Sequence, residues 1–273
     1  MPEPTPSTPT RIGLMLYTVR DECARAFEPT LREVARMGYE GVELFDLHGH
    51  EPGEVASWLA DTGLVACGRH ASLDAIESHL PALATEAQTL GWRRLVVSWV
   101  DPSRLGPELL RRLTTASASA AAHGIELGFH NHDAEVRPRD GGASFLDELL
   151  AGDALFLELD LGWAWYAGAD PLSLLGRARG RCPLVHVKDF YRREPGAFAP
   201  VGDGAASYER VVPADVFAPV GDGAVGYERV APAAVAAGVE WLLVEQDETD
   251  GPALEAARRS LEALTAMVVE VAA

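Results

Sequence analysis

The sequence predicts an α/β fold, a single (β/α)8 barrel, and three observations lead there. Short apolar runs alternate with helix-like segments eight times along the 273 residues, the pattern of a parallel sheet covered by helices. The length suits one such barrel, which typically takes roughly 250 residues. The runner-up, an open doubly wound sheet, lacks support because no GxGxxG follows the first apolar run.

In chain order, Arg11–Leu16 is the first expected strand, followed by an amphipathic stretch over Phe27–Met37. Gly41–Leu44 and a helix over Pro52–Thr62 form the second pair, Leu64–Gly68 and Leu73–Leu90 the third, and Arg94–Ser98 and Gly106–His123 the fourth. Ile125–Phe129 precedes a helix over Ala143–Ala151, and Leu155–Leu159 precedes one over Pro171–Arg179. Leu184–Val187 is the seventh strand. Trp241–Val244 is the eighth and leads into a long helix over Pro252–Val271. Residues 1–10, rich in Pro and Thr, read as a disordered tail without the apolar stretch of a signal peptide, leaving 11–273 as the barrel.

Between the seventh and eighth strands lies a tandem duplication over 198–235. Phe198–Val216 is nearly repeated at Phe217–Val235, with four differing positions: Ala206/Val225, Ser207/Gly226, Val212/Ala231 and Asp215/Ala234. One pair of copies is too few for a solenoid. The second copy runs directly into the eighth strand and is expected to form the seventh helix. The first is expected to enlarge the loop on the catalytic face, as a lid, a homo-oligomer contact or a tolerated insertion.

With 41 acidic and 23 basic residues the formal charge is −18. Such a surface repels phosphodiester backbones, so no nucleic-acid partner is expected. No apolar run is long enough to span a bilayer, so no membrane partner is expected either. Cys23, Cys67 and Cys182 are far apart and form no CxxC pair, which fits buried thiols in a reducing, cytoplasmic setting.

Four polar residues stand where apolar runs give way to loops: His130, Asp160, His186 and Glu245. In a parallel barrel all strand carboxyl ends share one face, so residues this far apart in sequence can converge on one ion. Two imidazoles and two carboxylates suit Mn²⁺, Co²⁺, Zn²⁺ or Fe²⁺ better than Ca²⁺. Taken singly, each has a structural alternative: a strand-end Asp can cap the next helix, and a His can be an ordinary satisfied polar group. Around them, Glu43 and His70 close the second and third strands. His48 and His50 lie further out and read as solvated. Lys188 shares a face with His186 by the two-residue period of a strand. Trp163 and Trp165 are either an apolar wall of the site or packing between a strand and its helix.

The segments Gly41-Val-Glu43-Leu, Phe129-His130-Asn131-His132-Asp133-Ala134-Glu135, Leu159-Asp160-Leu-Gly-Trp163, His186-Val-Lys188-Asp189-Phe190, Val220-Gly221-Asp222-Gly223 and Val244-Glu245-Gln246-Asp247 resemble the xylose isomerase-like barrel superfamily. The likeness is greatest to its sugar phosphate isomerase/epimerase branch and covers the chain from Arg11 onward. It implies one divalent ion (Mn²⁺, Co²⁺, Zn²⁺ or Mg²⁺) on Asp160, His186 and Glu245. His130, or Glu135 or a water, would complete the set where many relatives carry Glu. It implies a sugar, keto-sugar or polyol substrate and proton removal beside a carbonyl through a metal-stabilised enediolate. Glu245 would be base and ligand, with Glu135, His132 or Lys188 on the opposite face. Glu43, His70, His132 and Trp163 would contact substrate. The resemblance also admits a lyase or dehydratase, such as an inosose dehydratase or a 3-keto-glycoside β-eliminating enzyme. An abasic-site endonuclease, which needs a basic surface, and a non-catalytic metal-binding barrel are lesser readings.

Overall fold

The computed structural model describes residues 9–139, 141–193 and 213–272. Eight parallel strands close into a barrel: β1 (Arg11–Met15), β2 (Gly41–Leu44), β3 (Val65–Ala71), β4 (Arg94–Val97), β5 (Glu126–His130), β6 (Phe156–Asp160), β7 (Leu184–Val187) and β10 (Trp241–Val244). Closure comes from pairing of β1 with both β2 and β10. β8 (Asp189–Phe190) and β9 (Phe217–Ala218) make a separate antiparallel ribbon beyond β7.

The surrounding helices are α1 (Arg20–Met37), α2 (Pro52–Thr62), α3 (Leu73–Leu90), α4 (Pro107–Ala121), short α5 (Asp133–Val136), α6 (Phe145–Ala151), short α7 (Leu161–Tyr166), α8 (Pro171–Arg177), α9 (Tyr227–Ala236) and α10 (Ala253–Ala272). Their ends follow capping chemistry. Ser72 accepts the Ala75 N–H at the start of α3, and Glu51 and Glu54 form a reciprocal box around Pro52 at the start of α2. α1 begins seven residues before the expected Phe27. Ala26 leaves helical geometry (φ −161°, ψ 77°) and splits α1 in two, which places Pro29 in the first turn of the second piece, where its missing N–H costs little. Cys23, Phe27, Leu31 and Val34 then recur every three or four residues and are buried against the barrel.

β3 runs three residues past the expected Gly68, so His70 lies within a strand. The register of β2 against β3 slips between Val42 and Glu43. Such a bulge re-aims the side chains that follow it. Inside the barrel, Trp241, Leu184, Leu243, Val96 and Cys67 form an apolar floor with Phe156 packed against them. Gly128 admits Phe156, since a Cβ there would lie 2.3 Å from its ring. The polar lumen rests on this floor. Cys23, Cys67 and Cys182 are buried free thiols, as expected; burial pushes Cys23 and Cys182 up to about 12. No helix among the described residues is long and apolar enough to cross a membrane.

The second copy of the duplication contributes β9, the turn over Val220–Gly223 and α9. Residues 198–212 of the first copy, and with them the expected loop, lie outside the described residues.

Candidate metal centre in the barrel lumen

Strand periodicity assembles the site. On β6, Phe156 joins the floor, and two and four residues later Glu158 and Asp160 line the lumen above it. On β7, Leu184, His186 and then Lys188 follow the same rule, as do Trp241, Leu243 and Glu245 on and just beyond β10. The contact between Glu43 on β2 and His186 on β7 crosses the lumen, because β1 and β10 separate those strands. All of these polar side chains are buried.

Two overlapping sets of metal-type donors result, His130–Asp160–His186–Glu245 and His70–His130–Glu158–His186, with the donor atoms of each set within 4.8 Å of one another. The four strand-end residues singled out in the sequence are thus brought together. His186 Nδ1 lies 2.8 Å from Glu245 Oε2, and His130 Nε2 lies 3.9 Å from Asp160 Oδ2. Asp160 serves two roles at once. Its Oδ1 caps α7 by accepting the Trp163 N–H at 2.7 Å, while Oδ2 accepts no hydrogen bond and faces the Lys188 ammonium at 3.2 Å. Lys188 Nζ also reaches Glu245 Oε2 and Asp247 Oδ1, each at 2.8 Å. Asn131 locks β5 to β6 by donating to Asp160 O and accepting Asp160 N–H.

Deeper, Glu158 Oε2 lies 2.6 Å from His70 Nε2, 3.1 Å from His130 Nδ1 and 3.3 Å from His186 Nε2. Glu43 Oε2 approaches His186 Nε2 at 2.7 Å and His70 Nε2 at 3.2 Å. The remaining oxygens Glu43 Oε1 and Glu158 Oε1 are buried and accept no hydrogen bond. Buried carboxylate oxygens without donors, beside converging imidazoles, are the donor chemistry a divalent cation satisfies, so the residues present fit such an ion.

The electrostatics divide the histidines. Burial opposes charge on His70, but Glu43 and Glu158 outweigh it and raise its pKa to about 9. His186 is likewise raised, against burial, by Glu158 and Glu245. His130 falls to about 3 because of burial and the neighbouring His186. Burial would raise Glu158 and Glu245, yet the cationic neighbours win and hold both ionised well below the usual range: His186 and His70 beside Glu158, Lys188 and His186 beside Glu245. Asp160 moves the other way, raised by burial.

Other sequence expectations meet a different geometry. Glu135 is buried, and its Oε2 accepts the His132 backbone N–H at 2.8 Å, turning the carboxylate back onto the start of α5. His132 is half-buried between His130 and Trp163. Trp163 is fully buried against Tyr166, Phe190 and Phe217, with Lys188 Nζ 5.3 Å from its ring centroid. Those contacts are the packing alternative for Trp163. His48 and His50 are half-buried against Phe27, with Phe45 beside His48 and Trp58 beside His50. Glu158 and Asp247 join the site without having stood among the residues expected there. The signal for Glu158 was present, since it stands two residues before Asp160 and therefore on the same face of β6.

A closed parallel barrel with histidines and carboxylates gathered inside it defines a class of (β/α)8 proteins built around a buried polar centre. More particularly, the chain belongs to the xylose isomerase-like TIM barrel family, whose model matches residues 31–267. A curated relative, an inosose dehydratase of Geobacillus kaustophilus (strain HTA426), is 26% identical over 225 residues, 66% of this chain and 73% of the relative. Among solved structures, the IOLI protein with a bound zinc atom superposes with a TM-score of 0.72 at 15% identity, covering 96% of this chain and 99% of the other. A sugar phosphate isomerase/epimerase from Parabacteroides distasonis ATCC 8503 gives 0.71 at 17% identity, over 92% and 96%. A probable 3-DHS dehydratase from Bacillus anthracis gives 0.71 at 16%, over 94% and 99%.

Proposed function

We propose that this chain is a divalent-metal-dependent enzyme that removes a proton beside the carbonyl of a sugar, keto-sugar or polyol-derived substrate, as an isomerase or epimerase. The observation that carries the reading is the convergence of Glu245, Asp160, His130 and His186 around one point in the lumen, with the ammonium of Lys188 beside it. Those four side chains would hold the ion, which supplies Lewis-acid polarisation of the substrate carbonyl.

The chain's own groups account for the proton. Glu245 is ionised and so able to accept it. Its proton affinity is depressed by Lys188 and His186, and drawing Lys188 toward a developing enolate oxygen raises it again toward that of a working base. Lys188, buried and held by Asp247, would serve as that oxyanion partner. His132 is the candidate proton donor on the opposite side, its backbone N–H held by the Glu135 carboxylate.

A dehydratase is the second reading, favoured by the inosose dehydratase among the relatives. The first step is shared, and loss of a leaving group follows. The test is NMR in D₂O with Mn²⁺-loaded protein and a panel of keto-sugars and inososes. Deuterium uptake with an isomerised product supports the isomerase; uptake followed by loss of water or an aglycone supports the lyase. No exchange on any substrate removes both.

A further inference from the structure

We propose that the four positions at which the duplicated segments differ form a register lock. They commit the second copy to its seat beside the seventh strand and bar the first copy from it. The inference is independent of the metal and of the reaction.

The seat is built on residues that both copies carry. Asp189 accepts the N–H groups of Gly221, Gly223 and Val225 at 3.0, 3.1 and 3.2 Å. Phe217 and Ala218 pair with Phe190 and Asp189. The Tyr227 hydroxyl accepts the Lys188 N–H and donates to the Lys188 carbonyl, each at 3.0 Å, so the seated copy also holds the backbone of a residue of the lumen. One repeat earlier stand Phe198, Ala199, Gly202, Gly204 and Tyr208, the same residue types at the same spacing. These shared contacts cannot tell one copy from the other. A slip by one repeat would nonetheless change the topology. The extra repeat would leave the connection between Phe190 and the seat and enter the one between α9 and β10, at the opposite end of the barrel.

Each of the four differences falls where the surroundings of the second copy do discriminate. Gly226 has φ +84°, in the left-handed region where a side chain is strained, and the first copy offers Ser207 there. Ala234 is fully buried in α9 among core residues, a place where Asp215 would bury a carboxylate in apolar surroundings. Ala231 is buried as well, and Val212 would force two more methyl groups into a packed interior. Val225 fills part of the core, which Ala206 would leave empty. In its own place Asp215 is exposed and pairs with Arg192 at 2.9 Å, so the residue barred from the helix is accommodated outside it. Undirected divergence would also have altered exposed positions. Asp222, Glu228 and Arg229 are exposed, yet each is identical in the two copies.

Two deletions test the lock. Removing 198–216 or removing 217–235 gives chains of equal length that differ at the four positions alone. The first should melt like the full chain and the second at least about 10 °C lower, the effect of a buried carboxylate added to strain and misfit. If the second chain does not fold, Asp215→Ala combined with Ser207→Gly should restore it; if it folds, the same pair should return most of the lost Tm. In the full chain, exchanging the four residue pairs between the copies should move slow amide exchange from 217–235 to 198–216. Mass spectrometry reads this on peptides that the four differences make distinguishable. Equal melting of the two deletion chains overturns the lock. So does failure of the Asp215→Ala, Ser207→Gly pair to rescue the weaker one, or slow exchange that stays on 217–235 in the exchanged chain.

Discussion

Replacing Lys188 with Met tests how the lumen is held together without metal. The Met side chain keeps most of the apolar stem beside Trp163 and removes only the ammonium, which lies 2.8 Å from Glu245, 2.8 Å from Asp247 and 3.2 Å from Asp160. At an effective dielectric near 20, each of the two closest contacts is worth roughly 6 kcal/mol of gross attraction. Much of that is offset by the cost of burying the ammonium, and removing one partner of a buried ionic cluster typically costs about 3–5 kcal/mol net. For a domain of this size, that lowers Tm by roughly 6–20 °C. The assay is urea and thermal unfolding of wild type and Lys188→Met in chelator at pH 7, repeated near pH 4.5. The difference should shrink at the lower pH, because the carboxylates freed from Lys188 take up protons there and need no cation. A loss below about 1 kcal/mol at pH 7, or an undiminished loss at pH 4.5, would refute the assignment of Lys188 as the counter-charge of these carboxylates.

Metal-free protein should lose stability as pH rises from about 6.5 to 9. The folded pKa of His70 is raised from 6.5 to about 9, so its contribution is fully present below the unfolded value and disappears through the folded one. The span amounts to about 3 kcal/mol at most, and unfolding of His70→Asn across that pH range should show a shallower slope. Gly162→Ala should cost about 3 kcal/mol or more, or fail to fold, because a Cβ there would lie 1.9 Å from the Lys188 carbonyl oxygen; soluble yield and a denaturant melt decide it. Deleting residues 198–216 shortens the connection between the paired Phe190 and Phe217 from 26 residues to 7. Reduced loop-closure entropy should leave stability unchanged or about 1 kcal/mol higher, and retained metal stoichiometry would show that the lumen does not depend on the first copy.

Much of this architecture is legible in the residues because its causes are local. Strands such as Gly41–Leu44 and Trp241–Val244 and helices such as Pro52–Thr62 and Leu73–Leu90 have the expected bounds, since apolar period and capping residues act within a few positions. The ribbon of Asp189–Phe190 with Phe217–Ala218 was not legible, because two-residue strands have no period to read. The strand-end residues stood out because each interrupts or ends an apolar run. Glu158 did not, since a carboxylate inside a strand reads as solvent-facing until the barrel closes around it. The bulge beside Glu43 and the inward capping bond of Glu135 are properties of three-dimensional register and of one loop's course. Neither has a one-dimensional signature.

The ribbon beyond β7 also bears on how this barrel tolerates change. Asp189 accepts the backbone N–H groups of Gly221, Gly223 and Val225 as well as that of Phe190, and Ala224 N–H donates to the Phe190 carbonyl. All but the Phe190 N–H bond join residues just beyond the seventh strand to residues after Phe217, so the interval between them is bracketed by a clasp. The octapeptide closing that clasp, FAPVGDGA, occurs identically at 198–205 and 217–224. A copying event there duplicates the fastener together with the cargo, and the interrupted chain can still be buttoned shut. Segments inserted between Tyr191 and Val216 are therefore expected to leave the clasp closed, and unchanged thermal stability of such a variant would check it.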